Sequence, residues 1–229
     1  MARYAVYFSP RPGTPLHTFG RDWFGFDPET GNDLPYTPIS GMTTDEHAAM
    51  VATPRHYALH GTLKPPFSLK PEASEQSLKT AVDSMAYTFP SLSIDRLALR
   101  PIGGFLALVP YEPSAALLSL AERCVRDLDG FRLPPAPEEL ERRRRAALTP
   151  PQEENLKRWG YPYVMDEFRF HITLTGRIGH ETANDLAGKI APRLKTVLSA
   201  PLPIQDLCIF TEPEDGTPMR LWHRVPLSG

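Results

Sequence analysis

Cysteine is scarce in this chain. Two residues of 229, Cys124 and Cys208, carry thiols, which excludes a disulfide scaffold. The first falls in a helical pattern and the second in a strand pattern, so both are expected as buried thiols in a reducing compartment. Long apolar runs are missing too. No stretch approaches the roughly 18 residues of a membrane span. The opening MARYAVYFSPRPG ends its apolar run at Ser-Pro-Arg-Pro, too early for a signal-peptide core. The expectation is a soluble, cytoplasmic protein with no membrane partner. Excess positive charge is also lacking: 25 Lys and Arg stand against 27 Asp and Glu, a formal net charge of −2. No long nucleic acid is held by charge alone on such a chain, and any phosphate chemistry needs a local site.

What is present is the composition of an ordinary globular protein, 41% hydrophobic and 23% charged, long enough for one large domain or two small lobes. The 26 prolines cluster between periodic segments, in SPRPGTP, LKPPFSLKP, LPPAPEE and LTPPQEE, and so punctuate the chain. The pattern between them predicts a strand over 3–8, a long loop over 9–41, a short helix opening near Thr44 and a strand over 57–63. A helix over 74–86 carries Leu78, Val82 and Met85 on one stripe. A hairpin follows, with strands over 93–100 and 104–109. Helices are expected over 113–128, 137–147 and 151–159, then a strand over 167–175. A helix over 181–198 turns Leu186, Ile190, Leu194 and Val197 inward, and strands over 204–211 and 219–225 close the chain. Each half mixes helices with antiparallel-type strands, which predicts an α+β fold of two similar lobes, one bilobal domain over 1–229.

One string occurs twice. His60-Gly61-Thr62-Leu63 in ALHGTLKPPFSL and His171-Ile172-Thr173-Leu174 in FRFHITLTGRI share the spacing His-x-Thr-Leu, a coincidence expected on the order of a few times in a thousand for ordinary residue usage. In a strand, residues two apart share a face. His60 therefore faces with Thr62, and His171 with Thr173, while Leu63 and Leu174 point back into apolar packing. The same parity adds Lys64 to the first set, and Arg169 and Thr175 to the second. If the lobes pack about a pseudo-two-fold, one cleft receives two imidazoles, two hydroxyls and two cations.

Such a cleft suits a phosphodiester. Hydrolysis needs a base for the water proton and an acid for the departing oxygen, and histidine serves either role near neutrality. Threonine hydroxyls can hold the non-bridging oxygens, and Lys64 and Arg169 can compensate charge. The chemistry calls for no metal and no cofactor, and no third ligand motif of the kind zinc uses accompanies the histidines. The remaining histidines read as less informative. His56 shares the parity of His60 at the start of its strand, and His17, His47, His180 and His223 read as loop or surface residues. The run Arg142-Arg143-Arg144-Arg145 follows acids in PEELERRRR and reads as a solvated or lid-like helix. Phe19, Trp23, Phe24 and Phe26 read as the buried aromatics that a long ordered loop needs, with a ribose- or base-stacking wall as the alternative.

Paired His-x-Thr motifs in two α+β lobes resemble the 2H phosphoesterase superfamily, which includes RNA ligase-like proteins and cyclic nucleotide phosphodiesterases. The strings RYAVYFSP, LHGTLKPPFSL and RFHITLTGR, with the length near 230, look more closely like the DUF1045 family encoded in bacterial phosphonate-utilisation operons. The resemblance implies His60 and His171 as the acid and base, with Thr62 and Thr173 on the phosphate. Lys64, Arg169 and Tyr7 are added from parity and proximity. It also implies a small phosphorylated sugar or nucleotide cyclic phosphate as substrate, with phosphoribosyl 1,2-cyclic phosphate the candidate, and association with phosphonate-pathway enzymes. An RNA-end 2′,3′-cyclic phosphodiesterase or ligase and a non-catalytic phospho-ligand-binding accessory protein are the alternatives.

Overall fold

A computed structural model describes residues 2–228. Its first strand, β1 (Arg3–Phe8), is the apolar RYAVYF, buried from Tyr4 onward. The stretch expected as loop then contains a helix, α1 (Pro15–Phe24). Its signals are local: the Thr14 hydroxyl accepts from the His17 amide, Pro15 opens the first turn, and Gly25 closes it in the left-handed region at φ 56°. Phe19, Trp23 and Phe24 of α1 and Phe26 beyond it are all buried, so the aromatics serve packing. A two-strand ribbon, β2 (Phe26–Asp27) with β3 (Asn32–Asp33), leads to α2 (Thr44–Arg55), which Thr43 and Glu46 cap reciprocally.

β4 (Gly61–Phe67) begins later than expected and runs through Pro65 and Pro66. Proline is tolerated because β4 pairs only with β1, at the edge of its sheet. After α3 (Glu75–Tyr87) come β5 (Leu92–Ile94), β6 (Leu97–Ile102), β7 (Phe105–Pro110), α4 (Ala115–Asp127), α5 (Pro137–Arg144) and α6 (Pro150–Trp159). The expected strand over 167–175 contracts to β8 (Ile172–Thr173). The helix expected over 181–198 is divided into α7 (His180–Ile190) and α8 (Lys195–Leu198) by a tight turn holding Pro192, whose ring cannot continue an α-helix. β9 (Leu202–Ile204), β10 (Asp206–Glu212) and β11 (Arg220–Pro226) complete the chain.

An antiparallel sheet runs β11-β10-β1-β4 and another β6-β7-β8, with β5 pairing β9 alone. The α+β class is as expected, with a difference in connectivity. The closing strands β10 and β11 return to the sheet of β1 and β4, and β8 joins the hairpin β6-β7, so neither sheet is built from one half of the chain. Both sheets feed one core: Val6 and Ile209 of the first belong to the same buried cluster as Leu106, Leu108 and Ile172 of the second.

The two sheets meet at Gly61. A β-carbon built there stands 2.3 Å from the Phe170 ring, and Phe170 also packs on Phe8, with centroids 6.1 Å apart. Glycine is required by this close approach. Gly61→Ala should therefore lower stability in urea unfolding by about 1–3 kcal/mol, the usual cost of overpacking, and a smaller side chain at Phe170 should recover part of it.

Candidate active site

Each histidine of the repeated motif sits one residue ahead of its strand, His60 before β4 and His171 before β8. Both rings lean back on the chain in the same way. His60 Nδ1 lies 3.0 Å from the carbonyl oxygen of Ala58, and His171 Nδ1 lies 2.8 Å from that of Arg169. A carbonyl only accepts, so Nδ1 of each ring carries a proton, and Nε2 is the atom left free to take up or release another. Ala58 reaches this position with φ 55°, a left-handed conformation that is costly for a residue with a β-carbon. The His60 ring also lies flat on Tyr7, with centroids 4.0 Å apart and planes at 29°.

The segments are electrostatically coupled. Burial pushes His60 down to about 4, helped by the neighbouring charge of His171, while its bond to Ala58 acts in the opposite direction. His60 is therefore a neutral imidazole at pH 7, its Nε2 able to take a proton.

His60 and Thr62 line a cavity of about 490 Å³ together with Tyr7, Tyr57 and Pro65. Arg3, Arg142, Arg143, Tyr161 and Asp215 complete its wall. Of the residues expected from the sequence, His60, Thr62 and Tyr7 thus share one cavity. His171 lies outside that wall, on the segment that meets Gly61 through Phe170, and Thr173 lies opposite Ala107 in β8, half-buried.

Two expectations are corrected. Lys64 does not share the face of His60. Tyr7 pairs with Thr62 while Val6 pairs with Lys64, so a bulge at Leu63 breaks the alternation and turns Lys64 to the side of Val6. Its ammonium is buried, donates to the Val125 carbonyl at 3.1 Å and stands 3.7 Å from Asp129, with burial lowering it to about 8. Arg169 lies outside β8 and is exposed, its guanidinium donating to the carbonyls of Asp166 and Phe168. What it brings to the site is its own carbonyl, which holds His171. The Tyr7 hydroxyl donates to the Met219 sulfur at 3.5 Å, and its ring lies under that of His60. Thr175, by parity a neighbour of Thr173, is buried and accepts from the Leu106 amide at 2.9 Å.

His17 and His47, read as surface residues, are buried, His47 against Trp23 and Tyr36. His56 Nε2 stands 3.1 Å from Glu212, the carboxylate that also binds Arg3. Arg3 was legible in the sequence, since it shares the β1 face of Tyr7 four residues on. Arg142 and Arg143 were visible only as a charge run. Their place at the site comes from Tyr161, whose ring lies 4.7 Å below the Arg143 guanidinium.

Residues 62–220 match the family described as "Protein of unknown function (DUF1045)". The chain belongs to the DUF1045 family. Among curated proteins it is 35% identical over its full length to a protein named ribose 1,5-bisphosphate phosphokinase PhnN from Janthinobacterium sp. (strain Marseille). A protein of the same name from Laribacter hongkongensis (strain HLHK9) is 32% identical over 97% of the chain. The chain spans about half the length of these relatives, 51% of each. Solved structures similar to this DUF1045 chain include one titled a phosphoesterase, with TM-score 0.44 and 14% identity over 99% of this chain and 98% of that one. Another is E. coli LigT complexed with NADP+, with TM-score 0.43 and 13% identity over the same shares. Among the described residues no helix is long and apolar enough to cross a membrane, and no three His, Cys, Asp or Glu side chains are grouped to hold a metal ion. Cys124 and Cys208 are buried free thiols.

The coupling sets a pH signature. In a histidine NMR titration, His60 should stay neutral down to about pH 4, and His171→Ala should move that midpoint upward by removing a positive neighbour. The unfolded chain protonates His60 near the ordinary 6.5, so the stability tied to its neutrality is present above that pH and is lost as pH falls towards 4. A His60 midpoint that does not change in His171→Ala would show that the two rings are not coupled.

Proposed function

We propose that the protein hydrolyses a small cyclic phosphodiester by general acid–base catalysis, with His60 as base and His171 as acid. The observation that carries the reading is the duplicated histidine geometry: two rings on segments that meet at Gly61 and Phe170, each with Nδ1 on the carbonyl two residues earlier and each followed by a threonine two residues on. Water hydrogen-bonded to His60 Nε2 gives up a proton as its oxygen attacks phosphorus. The P–O bond of the ring breaks, and the departing oxygen takes a proton from His171. The product is a ring-opened phosphomonoester, and exchange with solvent resets both histidines. Thr62 and Thr173 donate to the non-bridging oxygens as charge builds there. Burial keeps His60 neutral at pH 7, the form in which a base must begin.

The relatives' printed name concerns ribose 1,5-bisphosphate, and a phosphorylated ribose is the substrate class that this reading adopts. Phosphoribosyl 1,2-cyclic phosphate, the product expected of C–P bond cleavage in the phosphonate pathway that the family resemblance implies, is the candidate. The names also record a kinase, yet the chain has no Gly-x-x-x-x-Gly-Lys-Ser/Thr string, the loop with which many kinases cradle a nucleotide.

His60→Ala and His171→Ala should each lower turnover of the cyclic phosphate by about 10²–10⁴-fold, the usual worth of a general acid or base, with EDTA leaving the wild type unaffected. A screen pairing phosphoribosyl 1,2-cyclic phosphate with nucleoside 2′,3′-cyclic phosphates checks the substrate class. Turnover that survives both replacements would overturn the two-histidine mechanism, and turnover confined to RNA ends would overturn the sugar assignment.

A further inference from the structure

We propose that the part of the cavity formed by Arg3, Arg142 and Arg143 is a subsite for a second phosphate, a terminal phosphomonoester carried by the same substrate. This rests on the phosphodiester reading and narrows it to doubly phosphorylated small molecules.

Helix α5 buries none of its residues, so the apolar core does not explain its place against the cavity. It is tethered by charged side chains: Arg143 lies over the Tyr161 ring at 4.7 Å, and Arg144 pairs with Glu153 of α6 at 2.9 Å. Tethered in this way, it turns two guanidiniums to the cavity that His60 and Thr62 line. These cations are incompletely neutralised. The single carboxylate of Glu139 accepts from Arg143 at 2.6 Å and stands 3.6 Å from Arg142. Arg143 Nε is buried with no partner, a donor whose desolvation nothing offsets. Around the cavity three guanidiniums face one carboxylate, Asp215, with Arg3 braced from behind by Glu212.

A reacting cyclic phosphodiester carries one negative charge, and the threonines of the two motifs already serve its non-bridging oxygens. His60 and Thr62 hold it at their own part of the cavity wall, which the arginines complete. The arginines are therefore surplus to the reacting phosphate. A phosphomonoester brings about −1.5 to −2 charge and three acceptor oxygens, and planar guanidinium forks match those oxygens two at a time. The cavity of about 490 Å³ falls in the usual range for small-molecule pockets. A nucleoside 2′,3′-cyclic phosphate lacking a further phosphate would leave the arginines unused.

The test compares ribose 1,2-cyclic phosphate with and without a 5-phosphate. Wild type should favour the phosphorylated compound by about tenfold or more in kcat/KM, the worth of one or two charged hydrogen bonds. Arg142→Ala should reduce that preference and Arg142→Ala/Arg143→Gln should largely abolish it, chiefly through KM for the phosphorylated compound. Because Arg142 is largely exposed (66% of its side chain), its single replacement gives a reading even where the double variant folds poorly. A preference that persists, or an equal loss on both compounds, would overturn the subsite. If neither compound is turned over, the hydrolase reading fails by itself. Calorimetry with ribose 5-phosphate then still decides the subsite, since affinity equal in wild type and Arg142→Ala/Arg143→Gln would overturn it.

Discussion

The ring of Phe170 occupies the space that a side chain on Gly61 would need, 2.3 Å from its β-carbon position, and the rest of the site follows from that approach. Gly61 separates His60 from Thr62, and Phe170 immediately precedes His171. A ring pressed on bare backbone therefore sets two distant segments side by side, and with them two imidazoles. The sheets on either side differ in size, four strands against three, yet the histidines are held alike, because each is positioned by its own backbone carbonyl and not by the sheet as a whole.

Burial and charge then divide the labour around the cavity. His60, stacked on Tyr7, is kept neutral chiefly by burial. The cations have partners of their own: Arg3 and Arg143, in the same cavity wall as His60, rest against Glu212 and Tyr161, and Lys64 lies behind the sheet with Asp129. A neutral imidazole beside permanent guanidiniums suits an anionic ligand, which gains attraction from the arginines without a salt bridge to the ring.

The legible parts of the fold were those specified locally. The apolar run of β1 from Tyr4 onward and the stripe Leu78, Val82, Met85 of α3 stand where the pattern puts them, all buried. Helix α1 was also written locally, in Thr14, Pro15 and Gly25, but the surrounding Gly, Pro and Asp residues read as loop. Strand parity succeeded for His60 with Thr62 and failed one step later at Lys64, because a bulge depends on the partner strand and leaves no mark in a single segment. His171 likewise carried its signal in the motif, whereas Arg142 and Arg143 carried only charge, which a solvated helix and a binding wall share.

By itself the sequence determined the chemical vocabulary: two histidines each paired with a threonine, an α+β pattern, thiols too few for a disulfide scaffold, and membership of a family recognisable from strings such as LHGTL. These are properties of composition and short spacing, which physics reads along the chain. Only the tertiary structure decided which sheet each strand joined, that Lys64 turns away, and that α5 presents its arginines to the cavity holding His60. Those outcomes depend on contacts between residues far apart in the chain, Gly61 with Phe170 and Arg143 with Tyr161, and such contacts form only when the whole core closes around them.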